Sequence, residues 1–379
     1  MPHIVLLSES IGTGHERAAC AIEEALLSAY PNVHVTRLNL LDTFRPRTAK
    51  VTRTLYLETL AHRPGWWGKW YEWQREKRIN RFGRFIVYTV LRKDVIAWLR
   101  RLAPDAVVCT HPLPACLLAE MKRKGFSIPL CTVLTDFDLH GYWTHPGIDL
   151  YCTPVQTVAE ALGERLKGSS EVRVTGIPIA NSFVERLSGP TPGLFAPAKR
   201  VLIMGGGLGI GLLPMVERII ESDGGHEITV ISGYNRSLRR ELRNRHGNRA
   251  NLRILGYTRQ VAELMATSDL LVTKPGGLTI AEALAMKLPM VLYTPIPGQE
   301  RRNGQLMSEL GVAVTVGTPE EGAEQVRDLL ENDSRRQNMR QQMESVRRPF
   351  AAAEVAEAVM EKALQHSPRH IPIRMASQR

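Results

Sequence analysis

The chain has 379 residues, more than one ordinary core accommodates, so two domains are expected. Apolar residues make up 44% and charged residues 23%, the balance of a folded soluble protein, and the net charge of +11 points to an anionic partner: nucleotide, nucleic acid or membrane surface. The five cysteines, at 20, 109, 116, 131 and 152, are odd in number and lack CxxC spacing, which argues against a disulfide framework or a zinc site and for reduced thiols in a cytoplasmic protein.

The opening "MPHIVLLSES" reads as a short strand; it lacks a charged n-region and a long apolar stretch and is not expected to be a signal peptide. No apolar run reaches the ~18 residues that span a bilayer, so membrane contact is expected to be peripheral. The first half then alternates. Strands are predicted at "HIVLLS", "VHVTRLNLL", "DAVVCT", "PLCTVLT", "LYCTP" and "EVRVTG", with helices at "ERAACAIEEALLSAY", through most of 50–101, at "PACLLAEMKRKG" and at "TVAEALGERLKG". Residues 188–198, "SGPTPGLFAPA", have linker composition. The pattern restarts with strands "RVLIMGGG", "EITVISG", "LRILGY", "DLLVTK" and "PMVLYT" and helices over 211–222, 236–245, 260–267 and after Gly277; 319–331 and 334–365 also read as helical. Short apolar strands between amphipathic helices predict α/β architecture with parallel sheets covered on both faces. The expected division is 1–187, linker 188–198, 199–345, a C-terminal helix at 346–366 packing back toward the first domain, and a basic tail at 367–379. Two such halves leave a cleft at the carboxyl ends of their strands, where open α/β sheets bind ligands.

Three glycine turns follow strands: Gly12 and Gly14; the "GGGLGIG" from Gly205 to Gly211; and Pro275, Gly276 and Gly277. Bare backbone at a helix N-terminus suits an anion, although glycines also simply permit tight turns. None fits GxGxxG, since Ile210 stands where the last glycine would be, and no GxxxxGK[ST] occurs. Glu282 has two readings of equal weight from spacing. With Thr279 it matches a capping box; alternatively its carboxylate accepts both ribose hydroxyls of a nucleotide whose phosphates lie on the Gly276 and Gly277 amides.

The stretch "TKPGGLTIAEALAMKLPMVLYTPIPGQERRN" resembles the donor site of diacylglycerol glycosyltransferases, the bacterial processive glucosyltransferases and plant monogalactosyldiacylglycerol synthases. "SIGTGHERAACAIEEAL", "VLTDFDLHGYWTHPGIDLYCTP" and "VTGIPI" match further segments in order, so the resemblance covers most of residues 3–310. It implies a GT-B fold, two Rossmann-like parallel-sheet domains facing a central cleft, and inverting transfer of glucose or galactose from a UDP-sugar to diacylglycerol or a glycosyl-diacylglycerol. By resemblance Glu282 pairs with the ribose, and the amides of Gly276, Gly277, Leu278 and Thr279 hold the diphosphate. Gln299, Glu300 and Asn303 face the hexose, Gly206, Gly207, Gly233 and Asn235 line the donor side, and the backbone at Tyr257 and Thr258 receives uracil. The family's basic residue after G-[IL]-P-[IV] is Ala180 here, leaving one phosphate or acceptor contact to be supplied elsewhere, with Lys274 and Arg301 as candidates.

Inverting transfer needs one base. His15, just past the first glycine turn, has an unperturbed pKa suited to the task, and the matching motif favours it over a structural histidine. Asp136 is the second candidate, as base or base-orienter; His111 and His140 also follow strands and could share the site. Asp136, Phe137 and Asp138 match a DxD metal string, read here as coincidence because it lies in the other half from the nucleotide site. Preorganised amides can meet the leaving group's charge, so no metal or cofactor is expected.

Residues 62–101 hold five of the six tryptophans (66, 67, 70, 73 and 98) and eleven Lys and Arg against three acids, a net +8. Trp66, Trp67, Trp70 and Trp73 with Arg81 and Arg84 are the expected acceptor-side and membrane-docking residues, giving peripheral attachment to an anionic surface at the inner face of the cell membrane. The competing readings are a tryptophan-plugged core and a nucleic-acid patch; nothing else in the chain supports the latter, so no nucleic acid is expected. The alternatives for function are a GlcNAc transferase acting on a polyprenyl-linked intermediate, a UDP-sugar epimerase, and a non-enzymatic UDP-sugar-binding regulator.

Overall fold

Among the described residues, twelve short strands form two six-stranded sheets in which every pairing is parallel. The computed structural model describes residues 1–10, 12–62, 81–187, 199–207, 209, 211–222, 224–293 and 298–365, with backbone alone at 56, 57, 60–62 and 81–87. The expected membrane-docking tryptophans 66, 67, 70 and 73, the linker 188–198 and the tail 367–379 lie outside the described residues.

The first sheet contains β1 (His3–Ser8), β2 (His34–Asn39), β3 (Ala106–Cys109), β4 (Leu130–Val133), β5 (Leu150–Thr153) and β6 (Glu171–Val174), in the order β2-β1-β3-β4-β5-β6. Side chains alternate across it. Ile4 and Leu6 pack with Ile22 and Leu26 on one face, while Val5 and Leu7 pack with Leu99, Leu117 and Trp143 on the other. This double burial is why these strands read as continuous apolar runs. The predicted strand "VHVTRLNLL" ends early: Leu40 and Leu41 open the short helix Leu40–Phe44, which seats Leu40 in the core. Trp98, on the helix Arg81–Leu102, lies against Phe44 with ring centroids 5.9 Å apart. For that tryptophan the core reading was the right one.

The second sheet contains β7 (Arg200–Met204), β8 (Glu227–Ile231), β9 (Leu252–Leu255), β10 (Leu270–Thr273), β11 (Met290–Tyr293) and β12 (Ala313–Val316), in the order β12-β11-β10-β7-β8-β9. The long helical prediction over 334–365 resolves into two helices, Asp333–Val346 and Ala351–Gln365. Pro349 lies between them and disfavours helical backbone in the residue before it. The final helix turns back onto the first half, where Val355 and Val359 join Ile4, Leu6 and Ile22 in one core.

Strand order reverses once in each sheet, around β1 in the first and between β7 and β10 in the second. The three glycine turns follow these three strands. Each therefore opens onto a switch-point crevice, where helices diverge and main-chain amides are left accessible. A further core spans the halves, with Phe137, Ile177, Ile179 and Phe183 of the first packed beside Leu278 and Ile280 of the second.

Candidate active site

The glycine turns meet across the cleft. A Cβ built on Gly14 would lie 3.8 Å from the Leu278 side chain, and one on Gly207 would lie 3.4 Å from that of Thr13. The helix after β10, Gly277–Ala285, is capped by Gly276 in extended conformation, without a side-chain cap. Thr279 is thus its third residue and cannot be an N-cap, so the capping-box reading of Glu282 fails. The amides of Gly277, Leu278 and Thr279 have no acceptor among the described residues.

Gly276 and Gly277 are glycines for different reasons. A Cβ on Gly277 would sit 2.1 Å from the Thr135 carbonyl oxygen, so the close approach of the two halves demands glycine there. Gly276 has an ordinary φ of −74°, and a Cβ there would meet nothing within 4 Å. Neither conformation nor packing calls for glycine at 276, and its amide, expected to hold the diphosphate, already donates to the Lys274 carbonyl at 2.8 Å, so the open amides begin at Gly277. Gly277→Ala is accordingly expected to destabilise by about 1–3 kcal/mol through overpacking, and Gly276→Ala by less than about 0.5 kcal/mol. Thermal unfolding measures both; a wild-type Tm for Gly277→Ala would mean that the halves part without cost.

Glu282 is fully buried. Its Oε1 accepts from Arg17 Nη2 of the first half at 2.8 Å, and its Oε2 has no partner. Burial pushes its pKa up, opposed by the Arg17 charge. An unmet buried acceptor costs about 1–3 kcal/mol, and two hydroxyls on adjacent carbons could satisfy both oxygens. Glu300 also has an unpartnered buried oxygen, Oε2, while its Oε1 holds Lys274 Nζ at 2.6 Å. The Tyr293 hydroxyl, buried and unpartnered, would lie 3.2 Å from a Cβ on Gly205.

His15 begins the helix Gly14–Ala29. Its Nδ1 lies 2.9 Å from the Thr110 carbonyl and 2.7 Å from the Thr135 hydroxyl. A carbonyl can only accept, so Nδ1 carries the proton and Nε2 keeps its lone pair. Burial lowers the His15 pKa to about 4, opposed by the Thr110 hydrogen bond, so the ring is neutral at pH 7. His111 stands edge-on to it with centroids 4.6 Å apart, and His140 packs by Trp143 at 5.8 Å. His111 Nδ1 accepts from Leu113 N–H and caps the helix Pro112–Arg123. Burial lowers the pKa of both, His140 to about 3.

Asp136 does not orient His15, as the second expectation had it; Thr110 and Thr135 do. The Asp136 carboxyl instead meets the side chains of Gln299 and Asn303 from the second half, and burial raises its pKa to about 7 against those hydrogen bonds. Asn303, expected at the hexose, is buried with its amide spent as a strut: Oδ1 accepts from Phe137 N–H at 3.2 Å and Nδ2 donates to the Pro275 carbonyl at 3.0 Å. Asn235 caps the helix Arg236–His246 by accepting from Leu238 N–H at 2.9 Å. Gly233 lies tightly against the Gly206 and Gly207 carbonyls. Tyr257 stacks on Tyr234 at 4.6 Å, both rings exposed, and Thr258 accepts from Gln260 N–H. Lys274 is neutralised by Glu300, Arg301 is exposed, and Ala180 precedes the short helix Asn181–Val184. Arg81 and Arg84 lie on the helix Arg81–Leu102. Among the described residues no group of three or more His, Cys, Asp or Glu side chains is placed to hold a metal ion. Arg17, Thr110, Thr135 and Tyr293 escaped the sequence reading; the first three lie within two residues of His15, His111 and Asp136, which did not.

The profile of monogalactosyldiacylglycerol (MGDG) synthases matches residues 15–179, and that of glycosyl transferases group 1 matches 223–346. The chain is 31% identical over 377 residues to a processive diacylglycerol beta-glucosyltransferase of Bacillus pumilus, covering 95% of this chain and 94% of that one. It is 30% identical to the Bacillus subtilis enzyme of the same name, covering 96% and 95%. Among solved structures, Acinetobacter baumannii MurG superposes with a TM-score of 0.61 at 15% identity, covering 95% of this chain and 100% of that one. The S. aureus MnaA–UDP co-structure superposes with 0.62 at 16% identity, covering 98% and 99%. Two parallel sheets meeting at their switch points, together with full-length relatives at this identity, establish that the chain is a GT-B glycosyltransferase of the family that holds the processive diacylglycerol glucosyltransferases and the MGDG synthases.

Proposed function

We propose that the protein transfers a hexose, glucose or galactose, from a UDP-sugar to diacylglycerol or a glycosyl-diacylglycerol with inversion at the anomeric carbon. The observation that carries this reading is the fully buried Glu282 carboxylate with one oxygen unmet, five residues into a helix whose first amides are free. Ribose hydroxyls donate to Glu282, and the diphosphate lies on the open amides of Gly277, Leu278 and Thr279 at the positive end of the helix. Glu300, and Tyr293 with it, faces the hexose. His15 Nε2 takes the proton of the acceptor hydroxyl as its oxygen bonds to the anomeric carbon. The bond from that carbon to the diphosphate breaks, and its electrons leave with UDP, whose growing charge the amides stabilise.

The acceptor is a membrane lipid met at the inner leaflet by the first half. No helix among the described residues is long and apolar enough to cross a membrane. Supporting peripheral docking, Val51, Leu55 and Val90 are exposed apolar residues on the helices that flank residues 63–80. Reversing the charges of Arg81 and Arg84 is expected to weaken binding to anionic vesicles about tenfold or more, each cation being worth ~1 kcal/mol near such a surface, with UDP affinity intact. Unchanged vesicle binding would reject this docking face.

Incubating the protein with diacylglycerol vesicles and labelled UDP-glucose or UDP-galactose tests the whole reading. A labelled β-glycosyl-diacylglycerol is the expected product. No labelled lipid with either donor, transfer only to a polyprenyl-linked acceptor, or isomerisation of the sugar without acceptor would overturn it.

A further inference from the structure

The only ion pair that Glu282 makes among the described residues comes from the opposite half of the molecule. Arg17 stands two residues after His15 on the first helix, and 43% of its side chain is exposed against 1% for Glu282. One guanidinium nitrogen, Nη2, is engaged with the carboxylate; the other N–H groups of the planar fork have no partner among the described residues. Arg17 therefore sits on the carboxylate to which the proposed donor brings its ribose. The ribose would bring one hydroxyl to the unmet Oε2 and the other to the Oε1 that Arg17 already holds.

The surroundings say where the displaced guanidinium goes. Glu282 lies five residues from Gly277 along one helix, about 7.5 Å of rise, which is within the swing of an arginine side chain. Thr13 and Gly14, at the base of the helix that carries Arg17, touch Gly207 and Leu278 at the same amide-lined turn. The other cation there, Lys274, is already neutralised by Glu300. A nucleotide diphosphate held on those amides would bring negative charge that Lys274, paired with Glu300, does not offset, and an arginine fork matches phosphate oxygens in pairs.

We propose that Arg17 is a donor-exchange residue: in the empty cleft it holds Glu282, and when ribose hydroxyls take the carboxylate it transfers to the donor's diphosphate, so that one side chain from the acceptor half both guards and then clamps the donor. This rests on the donor reading given above. The exchange leaves neither group without a partner, because the carboxylate gains two neutral donors while the guanidinium gains a new anion. It also makes closure of the halves sensitive to the diphosphate and not to the nucleoside alone.

Calorimetry with uridine and with UDP, on wild-type protein and on Arg17→Ala, separates the possibilities. Effects on the shared ribose site cancel in the ratio of the two dissociation constants. Loss of a charge-assisted phosphate contact is expected to shrink the preference for UDP over uridine about tenfold or more, and Arg17→Lys to restore part of it. An unchanged preference overturns the proposal, whether both ligands tighten together, as for a simple plug, or weaken together, as for a structural prop. Arg17→Gln gives the same readout should the alanine variant fail to fold. Failure of the wild-type protein to bind UDP would instead remove the donor reading itself.

Discussion

Replacing His15 by alanine is expected to lower sugar transfer about 10³-fold, the scale of a lost general base, while UDP affinity stays within a factor of about two. The separation follows from placement. His15 is fixed by Thr110 and Thr135 of the first half, whereas the amides and carboxylate proposed to hold the donor belong to the second. Initial rates with saturating acceptor, alongside calorimetry with UDP, measure both. A variant that still transferred sugar at a tenth of the wild-type rate would exclude His15 as the base.

The pH profile then tests His15 against Asp136. A base works in its deprotonated form, so the rate falls as pH drops through its pKa. Burial sets the two groups apart, His15 down at about 4 and Asp136 up at about 7. With His15 as base, kcat/KM, which reports the free enzyme, keeps its value from pH 7 down to about 5; with Asp136 it is already halved near 7. The bound diphosphate adds negative charge beside His15 and favours the imidazolium, so the acid limb of kcat, which reports the complex, lies at higher pH than that of kcat/KM.

The second large effect is on binding. Glu282→Ala removes two charge-assisted hydrogen bonds to the ribose, each worth about 1.5–3 kcal/mol, so the dissociation constant for UDP is expected to rise about 100-fold or more. Uridine should lose as much as UDP, because the contact is to the ribose. Arg17, which loses its partner, is 43% exposed and can be hydrated, so the binding loss is expected to exceed any loss of stability, and thermal unfolding of the variant separates the two. Wild-type UDP affinity in this variant would remove Glu282 from the donor site.

Much of the architecture was legible in the order of residues. "HIVLLS" is β1 over His3–Ser8, and the second sheet restarts at "RVLIM", because strands buried on both faces must be apolar at successive positions. The turn at Pro275 also announced itself, through bare glycines between a strand and a helix. What stayed hidden depends on approach across the cleft. Arg17 and Glu282 are 265 residues apart, and His15 and Thr110 are 95 apart; no local periodicity encodes such distances. Glu282 could be taken for a cap from spacing alone, but the helix starts at Gly277, two residues before Thr279. Resemblance alone places Asn303 at the hexose, and nothing in the order of residues signals that its amide also bonds Phe137, 166 residues away.

The return of the last described helix onto the first sheet bears on how the chain is made. Ile4, Leu6 and Ile22 are made long before Val355 and Val359, which share their core. Until residues 351–365 are made, the part of that sheet face not covered by the helix Gly14–Ala29 stays open, while the second sheet already has all its described strands. Maturation of this protein thus runs against the direction of translation, and a nascent chain stalled before residue 351 would display that open part to chaperones.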